Sequence, residues 1–202
     1  MQTEIEAKFL EDVDHDAVRT RLRQLGAMCE QPMRLMCRKN YDFPGSLLDG
    51  RHAWVRVRDE GDKVTMSYKQ LNDRSLHGMQ EVNLVVDSFG AAEAFLQAVG
   101  LRATNYQETK RESWLLDGTI EIELDEWPWI KPFLEIEGPT EQAVRDAAAK
   151  LGLAWKDALH GSVEVAYQAE YDVTEQEVDA WPETAFIPVP AWLRAKRRGK
   201  HA

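Results

Sequence analysis

Polar and apolar residues alternate along much of the chain, which is the pattern of half-buried β-strands. The N-terminal stretch MQTEIEAKFL is the first example. Glu4, Glu6 and Lys8 would share one face of that strand, with apolar residues on the other face. Taken alone, this pattern is typical of an edge strand with a solvated polar face.

The same two-residue period recurs in two predicted hairpins. Residues 52–70 would form the first hairpin, which turns at Asp59–Asp62. Residues 106–128 would form the second, which turns at Asp117-Gly118. In both hairpins, charged residues share one face of an arm and aliphatic residues share the other. Residues 28–43 are expected to form a strand pair or one long strand.

Three segments between the strands have the caps and apolar spacing of helices. They begin at Asp12 or Asp14, at Ser88 and at Thr140, and they end near Leu25, Gly100 and Leu151. Residues 162–181 are also expected to be helical, and the basic tail RAKRRGKH is expected to be peripheral. We therefore divide the chain into a domain over residues 1–170 and a C-terminal helical and basic extension over residues 171–202.

Charges on the predicted strands are sorted by sign, which a merely solvated face does not require. The acidic groups are Glu4/Glu6, Glu121/Glu123/Asp125 and Glu135/Glu137, and the basic groups are Arg56/Arg58 and Lys69. Helices need apolar strand faces to pack against, so the charged faces would point inward. A closed antiparallel β-barrel with helices packed on the outside meets this demand and leaves no sheet edge. The expected fold class is therefore α+β.

A barrel interior lined with both positive and negative side chains could bind metal cations and phosphate groups together. Clustered carboxylates bind hard divalent cations such as Mg²⁺ or Mn²⁺. Arginine presents paired donors to phosphate oxygens, and lysine adds a point charge. A metal–polyphosphate complex would match such an interior. The alternative is a set of ordinary surface ion pairs.

Composition excludes several other classes of function. The 202-residue chain carries 35 Asp and Glu against 25 Lys and Arg, a formal net charge of −10, which argues against general nucleic-acid binding. No apolar run approaches the ~18 residues that span a membrane, and the acidic N-terminus lacks the features of a signal peptide. Cys29 and Cys37 are the only cysteines, as expected for reduced thiols in a cytoplasmic protein. Phosphate-loop, dinucleotide-binding and HExxH motifs are absent.

A series of short motifs, in sequence order, carries a resemblance to a known family. They are ExExK at Glu4–Lys8, YDFPG, VRVR with Arg56 and Arg58, Lys69, Glu81, KR at Lys110-Arg111, LDEWP with Asp125, and FLEIEG with Glu135 and Glu137. Over roughly residues 1–170 the chain resembles the CYTH domain family, or triphosphate tunnel metalloenzymes. That family includes class IV adenylyl cyclases, thiamine triphosphatases and inorganic tripolyphosphatases. The resemblance implies an eight-stranded antiparallel barrel whose lumen binds a triphosphate with Mg²⁺ or Mn²⁺.

The resemblance also implies roles for individual residues. Phosphates would be held by Lys8, Arg56, Arg58, Lys69 and Arg111, with Lys110 as a further candidate. Metal ions would be held by Glu4, Glu6, Asp125, Glu135 and Glu137, with Glu81 in support. Glu4, Glu6 and Lys8 would form the catalytic core. The chain departs from the family at Asn83, where many members carry a second acidic residue, and Glu121 and Glu123 share a face with Asp125 without a family counterpart.

The expected activity is metal-dependent hydrolysis of a small triphosphate, such as inorganic tripolyphosphate, thiamine triphosphate or a nucleoside triphosphate. One alternative is an adenylyl cyclase that makes cyclic AMP and pyrophosphate from ATP. A second is a non-catalytic module that binds polyphosphate or nucleotide. The expected partner is the small-molecule triphosphate, without nucleic acid or membrane, for a protein that is a monomer or a homodimer.

Overall fold

A computed structural model describes residues 2–10 and 13–199. Its strands are β1 (Gln2–Glu4), β2 (Glu6–Phe9), β3 (Met28–Asp42), β4 (Ala53–Asp59), β5 (Val64–Leu71), β6 (Met79–Val86), β7 (Arg102–Leu116), β8 (Ile120–Glu126), β9 (Phe133–Glu137) and β10 (Glu183–Thr184). Its helices are α1 (His15–Gln24), α2 (Phe89–Ala98), α3 (Glu141–Leu151), α4 (Glu164–Glu170), α5 (Glu175–Asp179) and α6 (Ala191–Arg194). Asp12 and the last residues of the basic tail, 200–202, lie outside the described residues.

The sheet returns to its starting point through the N-terminal segment. Antiparallel pairing runs in the order β1-β6-β5-β4-β3-β7-β8-β9-β2, so β1 and β2 form its two ends. Only Ile5 separates β1 from β2 along the chain, and its carbonyl accepts a hydrogen bond from Gly138 at 3.1 Å. Glu4 pairs with Met79 on β6, whereas Glu6 pairs with Glu137 on β9. The N-terminal segment and the seven strands β3 to β9 therefore make the predicted eight-stranded antiparallel barrel.

The turns and caps form where the sequence predicts them. Asp117 and Gly118 both have positive φ, 54° and 73°, which is the geometry of a tight hairpin turn between β7 and β8. The side chains of Asp14, Ser88 and Thr140 accept backbone hydrogen bonds at the starts of α1, α2 and α3. Of the predicted range 28–43, residues 28–42 form one long strand, β3, rather than a strand pair.

Helices cover the outside of the barrel, as the strand pattern predicts. α3 places Val144 in one hydrophobic cluster with Ile122 of β8 and Ile136 of β9, and all three are fully buried. α2 contributes Leu96 to a second cluster that contains Val57 of β4. The aliphatic face of the sheet is therefore dry beneath the helices, and the charged face turns inward. No helix in the described ranges is long and apolar enough to cross a membrane.

The predicted helix at 162–181 is two short helices, α4 and α5, that pack against one end of the barrel. Tyr167 and Trp181 lie in one hydrophobic cluster with Trp127 and Phe133, which belong to the ends of the strand region. The Tyr167 hydroxyl donates a hydrogen bond to the Pro128 carbonyl at 2.9 Å. Next to this cluster, β10 pairs in parallel with β7. Residues on both sides of position 170 therefore share one apolar core.

We expect Trp181→Ala to destabilise the protein by about 3–5 kcal/mol, because a buried indole is replaced by a cavity. Trp181 is 7% exposed and packs edge-on against Tyr167, with ring centroids 5.0 Å apart. Trp192→Ala is the matched control, since Trp192 is 49% exposed and its loss should cost less than about 1.5 kcal/mol. Urea unfolding measures both values, and equal losses would contradict this packing.

Candidate active site

The inward faces of the strands line one cavity of about 1230 Å³. It is lined by ten of the residues predicted from the sequence: Glu4, Glu6, Lys8, Arg56, Arg58, Lys69, Glu81, Arg111, Glu135 and Glu137. Residues from widely separated parts of the chain thus meet in one space. Asp125 is fully buried behind this surface.

Lys8 lies between two carboxylates on the N-terminal side of the cavity. Its ammonium is 2.7 Å from Glu6 Oε1 and 3.2 Å from Glu135 Oε1. Burial acts to lower the pKa of Lys8, but Glu135 and Glu6 outweigh burial and raise it. Lys8 therefore carries a fixed positive charge, although it is only 2% exposed.

Arg111 of β7 is held by two carboxylates, one on β8 and one on β9. Its Nε is 2.6 Å from Asp125 Oδ1, and its Nη2 is 2.6 Å from Glu135 Oε2 and also contacts Asp125. Burial raises the pKa of Asp125 to about 6, against the lowering effect of Arg111. Lys8 and Arg111 together overcome burial at Glu135 and depress its pKa. Glu135 thus connects the two cations and fixes their spacing.

A second ionic group crosses from the N-terminal segment to β4–β6. Lys69 donates to both carboxylate oxygens of Glu4 at 2.8 Å, and it lies 3.6 Å from Glu81. Arg56 Nη2 is 3.6 Å from the same Glu81 oxygen. Burial first, and then Arg58, lower the pKa of Arg56 to about 10. Its Nε is buried without a hydrogen-bond partner among the described residues, so Arg56 has an unused donor.

Arg58 is held from the side by Glu60. Arg58 Nη2 and Nε are 2.7 Å and 3.0 Å from Glu60 Oε1, which also accepts a 2.8 Å hydrogen bond from Thr65. These contacts occupy the carboxylate of Glu60 and lower its pKa despite its burial. The guanidinium is therefore oriented before any ligand arrives.

Arg38 is a cavity residue that sequence reasoning missed. Its Nε donates to Gln107 Oε1 at 2.8 Å, and its guanidinium lies over the Trp127 ring, 4.2 Å from the centroid. Within residues 2–10 and 13–199, no carboxylate lies within 4.0 Å of it. Burial, followed by repulsion from Arg56 and Arg58, lowers the pKa of Arg38 well below its usual range. Such an uncompensated guanidinium favours an anion in the cavity.

Three acidic cavity residues, Glu121, Glu123 and Glu137, are less completely neutralised. Glu137 forms no salt bridge in the described part of the chain, and burial, Glu4 and Glu6 raise its pKa to about 8. Glu123 lies 3.8 Å from Arg111, but its Oε2 has no hydrogen-bond partner in the structure. These groups are hard oxygen donors that repel one another, and a divalent cation would relieve that repulsion. No three acidic, cysteine or histidine residues of the described ranges converge as a ready-made metal site.

Lys110 does not lie in the cavity, although the family resemblance placed it among the phosphate ligands. It is adjacent to Arg111 on β7, and neighbouring residues on a strand face opposite sides. Its ammonium contacts the outer surface, 3.6 Å from Glu126 and 4.7 Å from the centre of the Phe186 ring. Asn83, at the position where the chain departs from the family, does line the cavity.

Comparison with known proteins agrees with this geometry. The model of the CYTH domain matches residues 2–163. No curated protein matches the chain. A candidate adenylate cyclase from Vibrio parahaemolyticus superposes with a TM-score of 0.70 at 17% identity, covering 83% of this chain and 98% of that one. The PH1012 protein from Pyrococcus horikoshii OT3 gives 0.62 at 22% identity, covering 77% and 93%.

A third similar structure has a description that mentions activity. It is HpAC1 from Hippeastrum, a candidate adenylyl cyclase described as revealing a dominant triphosphatase activity. It superposes with a TM-score of 0.57 at 14% identity, covering 89% of this chain and 95% of that one. At these identities the three structures establish a shared fold.

We expect the metal-free protein to lose stability between pH 6 and pH 9, partly because of Glu137. Its pKa is raised from an ordinary value of 4.5 to about 8, so its contribution to stability is complete below pH 4.5 and is lost as the pH rises through 8. Glu137→Gln should remove about 2 kcal/mol of that loss. Urea unfolding at both pH values, in the presence of a chelator, measures the difference.

Glu126→Gln is the matched control for this prediction, because Glu126 lies on the outer surface beside Lys110. It should leave the pH dependence of the wild-type protein intact. Identical pH profiles of stability for Glu137→Gln and the wild-type protein would show that Glu137 does not cause this loss of stability.

Proposed function

The chain belongs to the CYTH domain family, and we propose that it hydrolyses a small triphosphate with the help of a divalent metal ion. One observation supports this most directly. Eight lysine and arginine side chains line a single cavity that also contains a surplus of carboxylates. Six of them support this proposal: Lys8, Arg38, Arg56, Arg58, Lys69 and Arg111. A triphosphate is the small, highly charged anion that such a set of donors matches.

Carboxylates orient four of these cations in the structure. Glu135 positions Lys8 and Arg111, Glu4 positions Lys69, and Glu60 positions Arg58. Because these donors are fixed before substrate binds, they can stabilise charge that develops on phosphate oxygens without reorganising. Arg38 and the free Nε of Arg56 would add donors that no carboxylate uses.

The acidic residues would hold Mg²⁺ or Mn²⁺. The proposed ligands are Glu4, Glu6, Asp125, Glu135 and Glu137, with Glu81 in support. When bound, the metal would neutralise phosphate charge and lower the pKa of an attacking water. The protein itself contributes the carboxylate oxygens, and Lys8 lies between two of the proposed ligands, Glu6 and Glu135.

An adenylyl cyclase reaction is the second candidate for the same cavity. Its support is the resemblance to a candidate adenylate cyclase from Vibrio parahaemolyticus with a TM-score of 0.70. In that reaction the ribose 3′-hydroxyl attacks the α-phosphorus, and pyrophosphate leaves. The description of the Hippeastrum protein, with its dominant triphosphatase activity, favours hydrolysis as the first candidate.

Product analysis decides between these functions. The purified protein is incubated with tripolyphosphate, thiamine triphosphate or ATP, each with Mg²⁺ or Mn²⁺. Orthophosphate release that a chelator abolishes is expected for the hydrolase. Cyclic AMP with pyrophosphate would instead establish the cyclase. Tight binding of all three compounds without turnover would identify a non-catalytic binding module.

We expect Lys8→Met and Arg38→Leu to lower kcat/KM for the hydrolysed triphosphate by about 10²–10³-fold each, the usual cost of one fixed donor to a developing charge. Lys110→Met is the matched control and should stay within about twofold of wild type, because Lys110 lies on the outer surface. Thermal melting should first establish that each variant is folded. A normal rate for Arg38→Leu would remove Arg38 from the site, and a slow Lys110→Met would overturn its placement.

A further inference from the structure

Strand β6 continues beyond the point where the barrel closes. β5 pairs with the whole of β6, but β1 pairs with it only from Met79 to Glu81. Within residues 2–10 and 13–199, no strand pairs with the opposite edge of β6 from Val82 to Val86. This free edge, Val82–Val86, therefore presents backbone hydrogen-bonding groups to which a further strand could pair.

A second open edge of the same sheet is protected by its sequence. β4 pairs with β3 only from Cys37 onward, which leaves the first part of β3 without a partner strand on that side in the described ranges. That part contains Glu30, Pro32 and Arg34, and such residues discourage another strand from adding to an edge. The free edge of β6, with the sequence VNLVV, has neither charge nor proline. Natural proteins usually cover an edge of this composition.

Exposed apolar side chains lie next to the free edge. Val82 and Leu84 alternate with the cavity residues of β6 and so lie on its outer face, where they are 42% and 51% exposed. A groove of about 330 Å³ between the end of β6 and α2 is lined by Val85 and Phe95, which are also exposed. Together with Val99 of the same helix region, these side chains expose on the order of 500 Å², a patch of the size that often marks an interaction site.

Charge and symmetry favour a second copy of this chain as the partner. A formal net charge of −10 makes two copies repel each other, but the free edge is uncharged and allows close approach. An antiparallel edge is also its own complement, because a two-fold axis perpendicular to the sheet pairs it with the same edge of a second copy. With the axis at Leu84, Val82 would face Val86 of the second copy. The contacts on the outer face would then all be apolar.

We propose that the free edge pairs with the free edge of a second copy, so that two barrels form a homodimer through a continuous antiparallel sheet. Backbone hydrogen bonds between the paired strands and apolar contacts around Leu84 and Phe95 make up the interface. The paired backbone and the flanking side chains bring the buried area toward the ~800 Å² per partner of a specific interface. The dimer does not rest on the proposed function, because neither Leu84 nor Phe95 lines the cavity.

Leu84→Lys tests this interface. Two lysines would face each other across the two-fold axis and would bring like charges into an apolar joint. Sedimentation equilibrium of the full chain, from roughly 1 to 100 µM, measures the dissociation constant of the dimer. We expect the wild-type protein to dimerise in this range and Leu84→Lys to raise the dissociation constant by about 100-fold or more. Circular dichroism checks that the variant is folded.

Leu35→Lys is the matched control, because Leu35 is 50% exposed on the protected part of β3. Its dissociation constant should stay within about threefold of the wild-type value. A wild-type protein that is still monomeric at roughly 100 µM would overturn the dimer. An unchanged dissociation constant for Leu84→Lys, or equal weakening by both substitutions, would overturn the assignment of the interface to β6.

Cross-linking tests the pairing by a second route. Residues directly opposite each other in an antiparallel pair have Cβ atoms ~4.5–5.5 Å apart, within reach of a disulfide. The exposed native thiol of Cys29 is first removed by Cys29→Ser. In that background, Leu84→Cys should form a disulfide-linked dimer under mild oxidation, and Leu35→Cys should stay monomeric on a non-reducing gel. The reverse result, or no cross-link in either variant, would contradict pairing about Leu84.

Discussion

The structure depends on the confinement of charge inside a closed sheet. A barrel turns one face of each strand away from bulk water, so an inward charge is costly unless it has a partner in the same cavity. The ionic groups around Lys8, Lys69 and Arg111 provide those partners. Each partner leaves the cation charged and oriented. The helices outside serve the same end, because they keep the aliphatic faces dry and the charged faces inward.

Much of this arrangement is predictable from the sequence because the strands that carry it are regular. In the N-terminal segment and in β4, β8 and β9, strict alternation places Glu4, Arg56 and Glu135 on the inner face. The same rule, applied at Lys110 and Arg111, allows only one of the two neighbours inside. Closure into a barrel is also predicted by the pattern. The charged faces of the strands turn inward together, and a sheet that closes around them has no exposed edge.

Other parts are not predictable from local pattern. Strand β3 has register shifts at three places, including one between Asn40 and Tyr41, so its alternation does not reveal which residues face inward. Arg38 and Asn40 enter the cavity from this strand and were therefore missed. The acidic character of residues 162–181 likewise does not show that Tyr167 and Trp181 would anchor α4 and α5 over one end of the barrel. These features depend on tertiary contacts that only the folded chain displays.

Because the N-terminal segment divides at Ile5, both ends of the sheet depend on one short stretch of chain. Its two halves pair with β6 on one side and with β9 on the other. Proteolytic removal of this segment would uncover the edges of β6 and β9 at once, and exposed strand edges promote aggregation. The same cut would remove Glu4, Glu6 and Lys8. Loss of this stretch would therefore remove three of the proposed site residues and expose the edges of the sheet at the same time.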